Sequence, residues 1–226
     1  MSSINALDFL CMNKSIRLIV AEKDGVAIVV KILKSQDWNK DLVIKCLRIL
    51  VNLGSAKENV EILLNNKVHN TIVDIMTVQK REESIIFQCL KIIAKLAIDK
   101  PFCKLIYMSG FIHSVYEVFD EYQMGGETIY ELFGILANLA KFCDEASQSI
   151  CQKGCASLIA TIKEKISDNK LIKRASNLLE HISNLKQNCD LINQSGGISV
   201  LNSLLDKYPK EDDIDLSVYI FINPTS

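Results

Sequence analysis

The side chains best suited to metal or nucleophilic chemistry in this chain are its eight cysteines and three histidines. Cys151 and Cys155 stand four residues apart, but Lys153-Gly154 interrupts the segment between them and no histidine or second cysteine pair lies nearby. A structural zinc site takes four ligands, usually in closely spaced pairs, so no metal is expected. His69, His113 and His181 are scattered along the chain. No H-E-x-x-H, G-x-S-x-G, phosphate-cradling G-x-x-x-x-G-K or dinucleotide fingerprint is present, and Gly125-Gly126 reads as a turn before a helix. With no nucleophile set beside a base, the chain is expected not to be an enzyme. No cofactor and no small-molecule substrate are expected either.

The elements that must position any site are helices. Nine Gly and three Pro in 226 residues leave few turn-makers. A hydrophobic content of 49 % with 23 % charged residues is enough to bury a core. Lys plus Arg number 26 against 27 Asp plus Glu, a formal charge of −1, so no global field marks a nucleic-acid or membrane-surface binder. The first ten residues lack a basic stretch followed by an apolar run, and no run approaches the 18 apolar residues of a membrane span. A cytoplasmic location is expected, with the nucleus as the alternative, and reduced thiols follow from it.

Sliding the chain against itself by 43 residues brings like residues together without gaps. Leu33, Met76, Phe119, Ile162 and Leu205 fall in one column. Residues 49–54 (ILVNLG), 92–97 (IIAKLA), 135–140 (ILANLA) and 178–183 (LLEHIS) form a second set, and 6–11 (ALDFLC) fit one step earlier. Gly25, Gly110, Gly154 and Gly196-Gly197 stand near the unit boundaries, with Asn65-Asn66-Lys67 at the boundary lacking Gly. Each unit reads as three helices, near 111–121, 126–141 and 145–153 in the third. Leu132, Phe133, Leu136, Leu139 and Ala140 make a core stripe on the long one. Four full units span 25–67, 68–110, 111–153 and 154–196, with a partial unit at 4–24 and a partial unit plus tail at 197–226, all in one domain over 1–226. Leu216 to Ile222 read as the opening of a further long helix, and Trp38 as a loop residue.

The columns also sort the cysteines. Cys46 and Cys89 share a column with Leu132 and Ala175, and Cys103 and Cys189 share one with Val60 and Ala146, as core residues would. Cys11 aligns with the small residues Gly54, Ala97, Ala140 and Ser183. Cys143 aligns with Lys57, Lys100 and Lys186 and is expected to be exposed.

On this period, on openings such as Gly110-Phe111-Ile112, on the Ile135-Leu136-Ala137-Asn138-Leu139-Ala140 end of the long helix and on the spacings Ile150 to Gly154 and Ile192 to Gly196, the chain resembles the armadillo repeat family over nearly all of 4–210. HEAT repeats use two helices and usually a Pro in the first, a poorer fit to a chain with three Pro. The resemblance implies an all-α, right-handed α-solenoid of three-helix repeats, and a non-enzymatic scaffold or adaptor whose long helices line a concave groove for an extended partner segment. A co-chaperone-type armadillo domain, similar to those of myosin chaperones or nucleotide-exchange factors and binding a folded partner, is the alternative.

In importin-type members an Asn ladder holds the peptide backbone, with Trp four residues earlier. The ladder column here reads Asn52, Lys95, Asn138 and His181, and the column before it Arg48, Lys91, Gly134 and Asn177, without Trp. Basic nuclear-signal binding is therefore not implied. The sixteen positions of that face carry six cations, Lys45, Arg48, Lys91, Lys95, Lys141 and Arg174, and one anion, Glu131. A protein or peptide partner with acidic character is expected. Asn52, Asn138, Asn177 and His181 would reach its backbone, and Arg48, Lys91 and Lys95 its carboxylates or phosphates. Nucleic acid is not expected, because no aromatic residue on that face would stack bases.

Overall fold

The computed structural model describes residues 2–35, 39–121 and 124–208; Trp38 and the segment 216–222 lie outside them. The described residues form fourteen α-helices and a 3-10 turn at Lys57–Asn59, with no strand among them. They divide into two compact units, Met1–Thr128 and Ile129–Ser226.

The first unit contains α1 (Ser2–Leu10), α2 (Lys14–Glu22), α3 (Gly25–Lys34), α4 (Lys40–Leu53), α5 (Val60–Asn65), α6 (Val68–Val78), α7 (Glu83–Leu96), α8 (Lys100–Met108) and α9 (Phe111–Glu121). Within it α4 packs on α1, α3 and α7, and α6 on α7 and α9. The helix α10 (Gly126–Phe142) begins at its end. The second unit holds the rest of α10 with α11 (Asp144–Glu164), α12 (Asn169–Ser183), α13 (Lys186–Gln194) and α14 (Gly197–Lys207); there α11 packs on α12, α13 and α14.

Local chemistry explains where these helices start. Asn39 and Asp168 accept from the backbone N–H of Leu42 and Leu171, satisfying an otherwise orphaned donor at the openings of α4 and α12. Asp99 does the same for Phe102 at α8, with Pro101 in the first turn, where its missing N–H is harmless. Left-handed residues precede α3, α6, α9 and α14. They are Asp24 (φ 57°), Lys67 (φ 55°), Gly110 (φ 85°) and Gly196 (φ 85°), so two of these four turns manage without glycine. Gly25 serves close approach instead, since a Cβ there would lie 2.4 Å from Val20 Cγ1. Between the last two full units the chain makes no such turn. The single helix α11 runs through and bends at Gly154 (φ −150°, ψ 20°).

The core follows the columns. Leu50, Ile93 and Leu136 are inaccessible and Leu179 nearly so, each on the inward stripe of a long helix. Cys11, Gly54, Ala97, Ala140 and Ser183 are all buried. At Gly54 a Cβ would stand 3.2 Å from Lys95 Cβ, so the end of α4 and the end of α7 meet closely. All eight cysteines are buried. For Cys143 this corrects the exposure expected from its column. Helices α8 and α13 open on the exposed Lys100 and Lys186, but α11 opens one position later, on Asp144. Cys143 is thereby the residue before the helix, 5 % exposed, with its thiol donating to Glu145 Oε2 at 3.2 Å.

Candidate functional site

The predicted site residues lie on the long helices, and each unit carries its own share. In the first, Lys45, Arg48 and Asn52 stand on α4, and Lys91 and Lys95 on α7, its packed neighbour. Arg48 and Lys95 are exposed, the other three half-buried. In the second, Asn138 and Lys141 stand on α10 and Arg174, Asn177 and His181 on α12. Lys141 and Asn177 are exposed; Asn138, Arg174 and His181 are half-buried.

The structure corrects the role expected of Arg48. Its guanidinium is already held by a carboxylate of the chain itself, Asp8 on α1: Nε donates to Oδ1 at 3.0 Å and a second bond joins Nη2 to Oδ2. Asp8 is 7 % exposed and is the partner that sequence reasoning missed. The bidentate bond pushes the Arg48 pKa up, against the opposing effect of burial. Arg48 is thus no free cation for a partner's carboxylate. A bidentate pair is also too directional to be exchanged for a looser contact without loss.

Arg48, Asn52 and Lys91 do come together. With Asp8, Met12, Val51 and Gln88 they line a cavity of about 340 Å³ between α1, α4 and α7. The Lys91 ammonium lies 5.4 Å from the centre of the Phe87 ring. Lys45 and Lys95 stand outside the cavity lining. Phe9 is 74 % exposed and falls in the ladder column, one repeat before Asn52. The alignment of ALDFLC with the long-helix ends already contained that signal. Near the start of α7, Glu83 Oε1 accepts from the backbone N–H of Gly125 at 2.8 Å and from Thr128 Oγ1 at 3.1 Å. Lys40 pairs with Glu82 at 2.5 Å.

In the second unit Arg174 reaches from α12 to α10. Its guanidinium stacks over Tyr130 at 4.7 Å and covers Gly134, where a Cβ would come within 2.9 Å of Nη1. The gap left by glycine in the column before the ladder is filled by the neighbouring helix. Burial pushes the His181 pKa down; Glu180 opposes this and the Lys141 charge adds to it. His181 is therefore neutral at neutral pH, one ring nitrogen donating and the other accepting.

The cysteine pair flanking the bend at Gly154 is a hydrogen-bonded couple. The interaction between the two thiols pushes the Cys155 pKa down against its burial, helped by Ser195, and pushes that of Cys151 up. Among the described residues no group of three or more His, Cys, Asp or Glu could hold a metal ion. No helix among them is long and apolar enough to cross a membrane.

Residues 10–143 match the family model described as LRRK2 ARM repeat. No curated protein is significantly similar to the chain in sequence. Solved structures of the same fold are numerous. A computationally designed armadillo repeat protein for modular peptide recognition superimposes with a TM-score of 0.84 at 16 % identity, over 98 % of this chain and 92 % of that one. A designed armadillo repeat protein in complex with the peptide (KR)4 gives 0.81 at 16 % identity, over 98 % and 92 %. A chain from a structural study of the interaction between cadherin and beta-catenin gives 0.82 at 15 % identity, over 97 % of this chain and 42 % of that one. These likenesses show the expected fold class, an all-α solenoid of armadillo repeats.

Proposed function

The chain belongs to the LRRK2 ARM repeat family, and from that premise we propose that it is a non-enzymatic interaction scaffold that binds an extended, acidic segment of a partner protein on its long-helix faces. The observation that carries this reading is the pairing of Lys91 and Lys95 on α7 beside Asn52 on α4. These are two cations and an amide on adjacent helices, and none of them is bound to a carboxylate among the described residues. A strand-like segment lying across the helices presents backbone amides and carbonyls to such side chains, and carboxylates to the ammonium groups. In the second unit Lys141, Asn177 and neutral His181 offer the same kinds of contact by themselves. Structures of the same fold determined with a bound peptide, or for peptide recognition, support a binding rather than a catalytic role.

The test is reversal of charge. Lys91→Glu with Lys95→Glu is expected to abolish binding of a labelled acidic peptide in fluorescence anisotropy. The melting temperature should move little, because Lys95 is exposed and the half-buried Lys91 exchanges only its charged end. For the unaltered chain, affinity should fall steeply between low and physiological salt, where charges are screened beyond about 8 Å. Undiminished binding by the double variant would overturn the assignment of this face.

A further inference from the structure

The cavity between α1, α4 and α7 differs chemically from the open face around it. Val51, 7 % exposed, and the Met12 side chain supply apolar surface, and the stems of Arg48 and Lys91 add to it. The side-chain amides of Asn52 and Gln88 hydrogen-bond to no other described residue and remain available. The charge of Arg48 is cancelled inside the chain by Asp8, and that same Asp8 carboxylate lines the cavity wall. A partner's acid inserted here would meet a like charge and a cation already spoken for, whereas Lys91 at the edge keeps its charge.

Building on the proposed reading of this face, we infer that the cavity is a specificity subsite for an apolar side chain of Leu or Phe size, with the partner's carboxylate beside it directed to Lys91 rather than into the cavity. On the side it turns to the helices, the recognised segment then carries apolar and acidic side chains two residues apart, rather than acidic ones throughout. Successive side chains of an extended segment point to opposite sides. The apolar anchor and its next-but-one neighbour therefore face the helices together, while the amides of Asn52 and Gln88 reach the backbone between them. The exposed Met12, just after α1, gives the cavity an apolar lip.

The experiment uses the full chain and two labelled octapeptides, Glu-Ser repeats in which one central Glu is replaced by Leu or by Ser, titrated at low salt by fluorescence anisotropy. The Leu peptide is expected to bind about tenfold more tightly, the increment of one well-buried aliphatic side chain. Two variants locate the effect: Val51→Thr, which keeps the shape of the wall and makes it polar, and Met12→Ser, which strips an exposed wall without touching the core. Both should bring the Leu advantage below about threefold while binding of the Ser peptide stays within about twofold, since Lys91 and Lys95 are unchanged. Equal affinity of the unaltered chain for the two peptides, or a Leu advantage that survives both variants, would overturn the subsite and leave the acidic-segment reading standing. If neither peptide binds, both readings are overturned.

Discussion

Asn188 shows how much a single side chain holds in place. It is completely buried, and its amide nitrogen donates to the Ile182 carbonyl at 2.8 Å, to Ser147 Oγ at 3.1 Å and to the Ser147 carbonyl at 3.3 Å, tying the end of α12 to the start of α11. Asn59, 129 positions earlier and thus in the same column of the repeat, donates to the carbonyls of Leu53 and Arg17 in the first unit. Asn188→Ala deprives the Ile182 carbonyl and Ser147 of this donor and should destabilise the chain by about 1–3 kcal/mol in urea unfolding. The thiols offer a second check at this scale. All eight are buried, so brief alkylation of the native chain should label none and denaturation should release all eight. On prolonged exposure near pH 8, Cys155 should be the first labelled, because the hydrogen bond with Cys151 pushes its pKa down while burial pushes Cys46 and Cys11 up to about 11. Mass spectrometry of the labelled peptides decides the order.

At the scale of the element, each long helix has one face for the core and one for solvent, and the two are energetically unlike. Leu136 is inaccessible on α10, so Leu136→Ala should cost about 2–5 kcal/mol in unfolding free energy, the loss of burial plus the cavity left behind. On the opposite side, Gly134→Ala should act on position rather than stability. The new Cβ would push the Arg174 guanidinium from Tyr130, the flexible end of a long side chain moving more easily than the helix. The helix starts show how repeats tolerate sequence change. Gly110 and Gly196 adopt the left-handed turn without strain, and Asp24 and Lys67 adopt it against a modest one. Gly154 bends a continuous helix instead.

For the whole molecule, net charge and proton linkage set the response to solution conditions. Burial, reinforced by the Lys67 charge, lowers the pKa of His69, and burial lowers that of His181. In the unfolded chain both regain the ordinary value of about 6.5. Below that pH the unfolded state binds more protons than the folded one, so stability present above about pH 6.5 is lost as the pH falls through it. The melting temperature should drop between pH 7.5 and 5.5, and the double variant His69→Gln with His181→Gln should show a flatter profile over the same range. A chain of net charge −1 has little global field to add to this local effect.

What the sequence by itself determined is the part of this protein that repeats. The 43-residue period, the helical segments at 111–121 and 126–141 and the buried column of Leu50, Ile93, Leu136 and Leu179 were legible because each rests on local apolar spacing that recurs down the chain. The positions of the candidate cations on the long helices follow from the same spacing. Their availability does not. Arg48 is neutralised by Asp8, 40 residues away, Arg174 lies over Gly134 on another helix, and Cys143 turns inward because one helix starts a residue late. Periodicity states which way a side chain leaves its own helix, but its partner is set by the distance and angle to the next helix, and only the tertiary structure decided those.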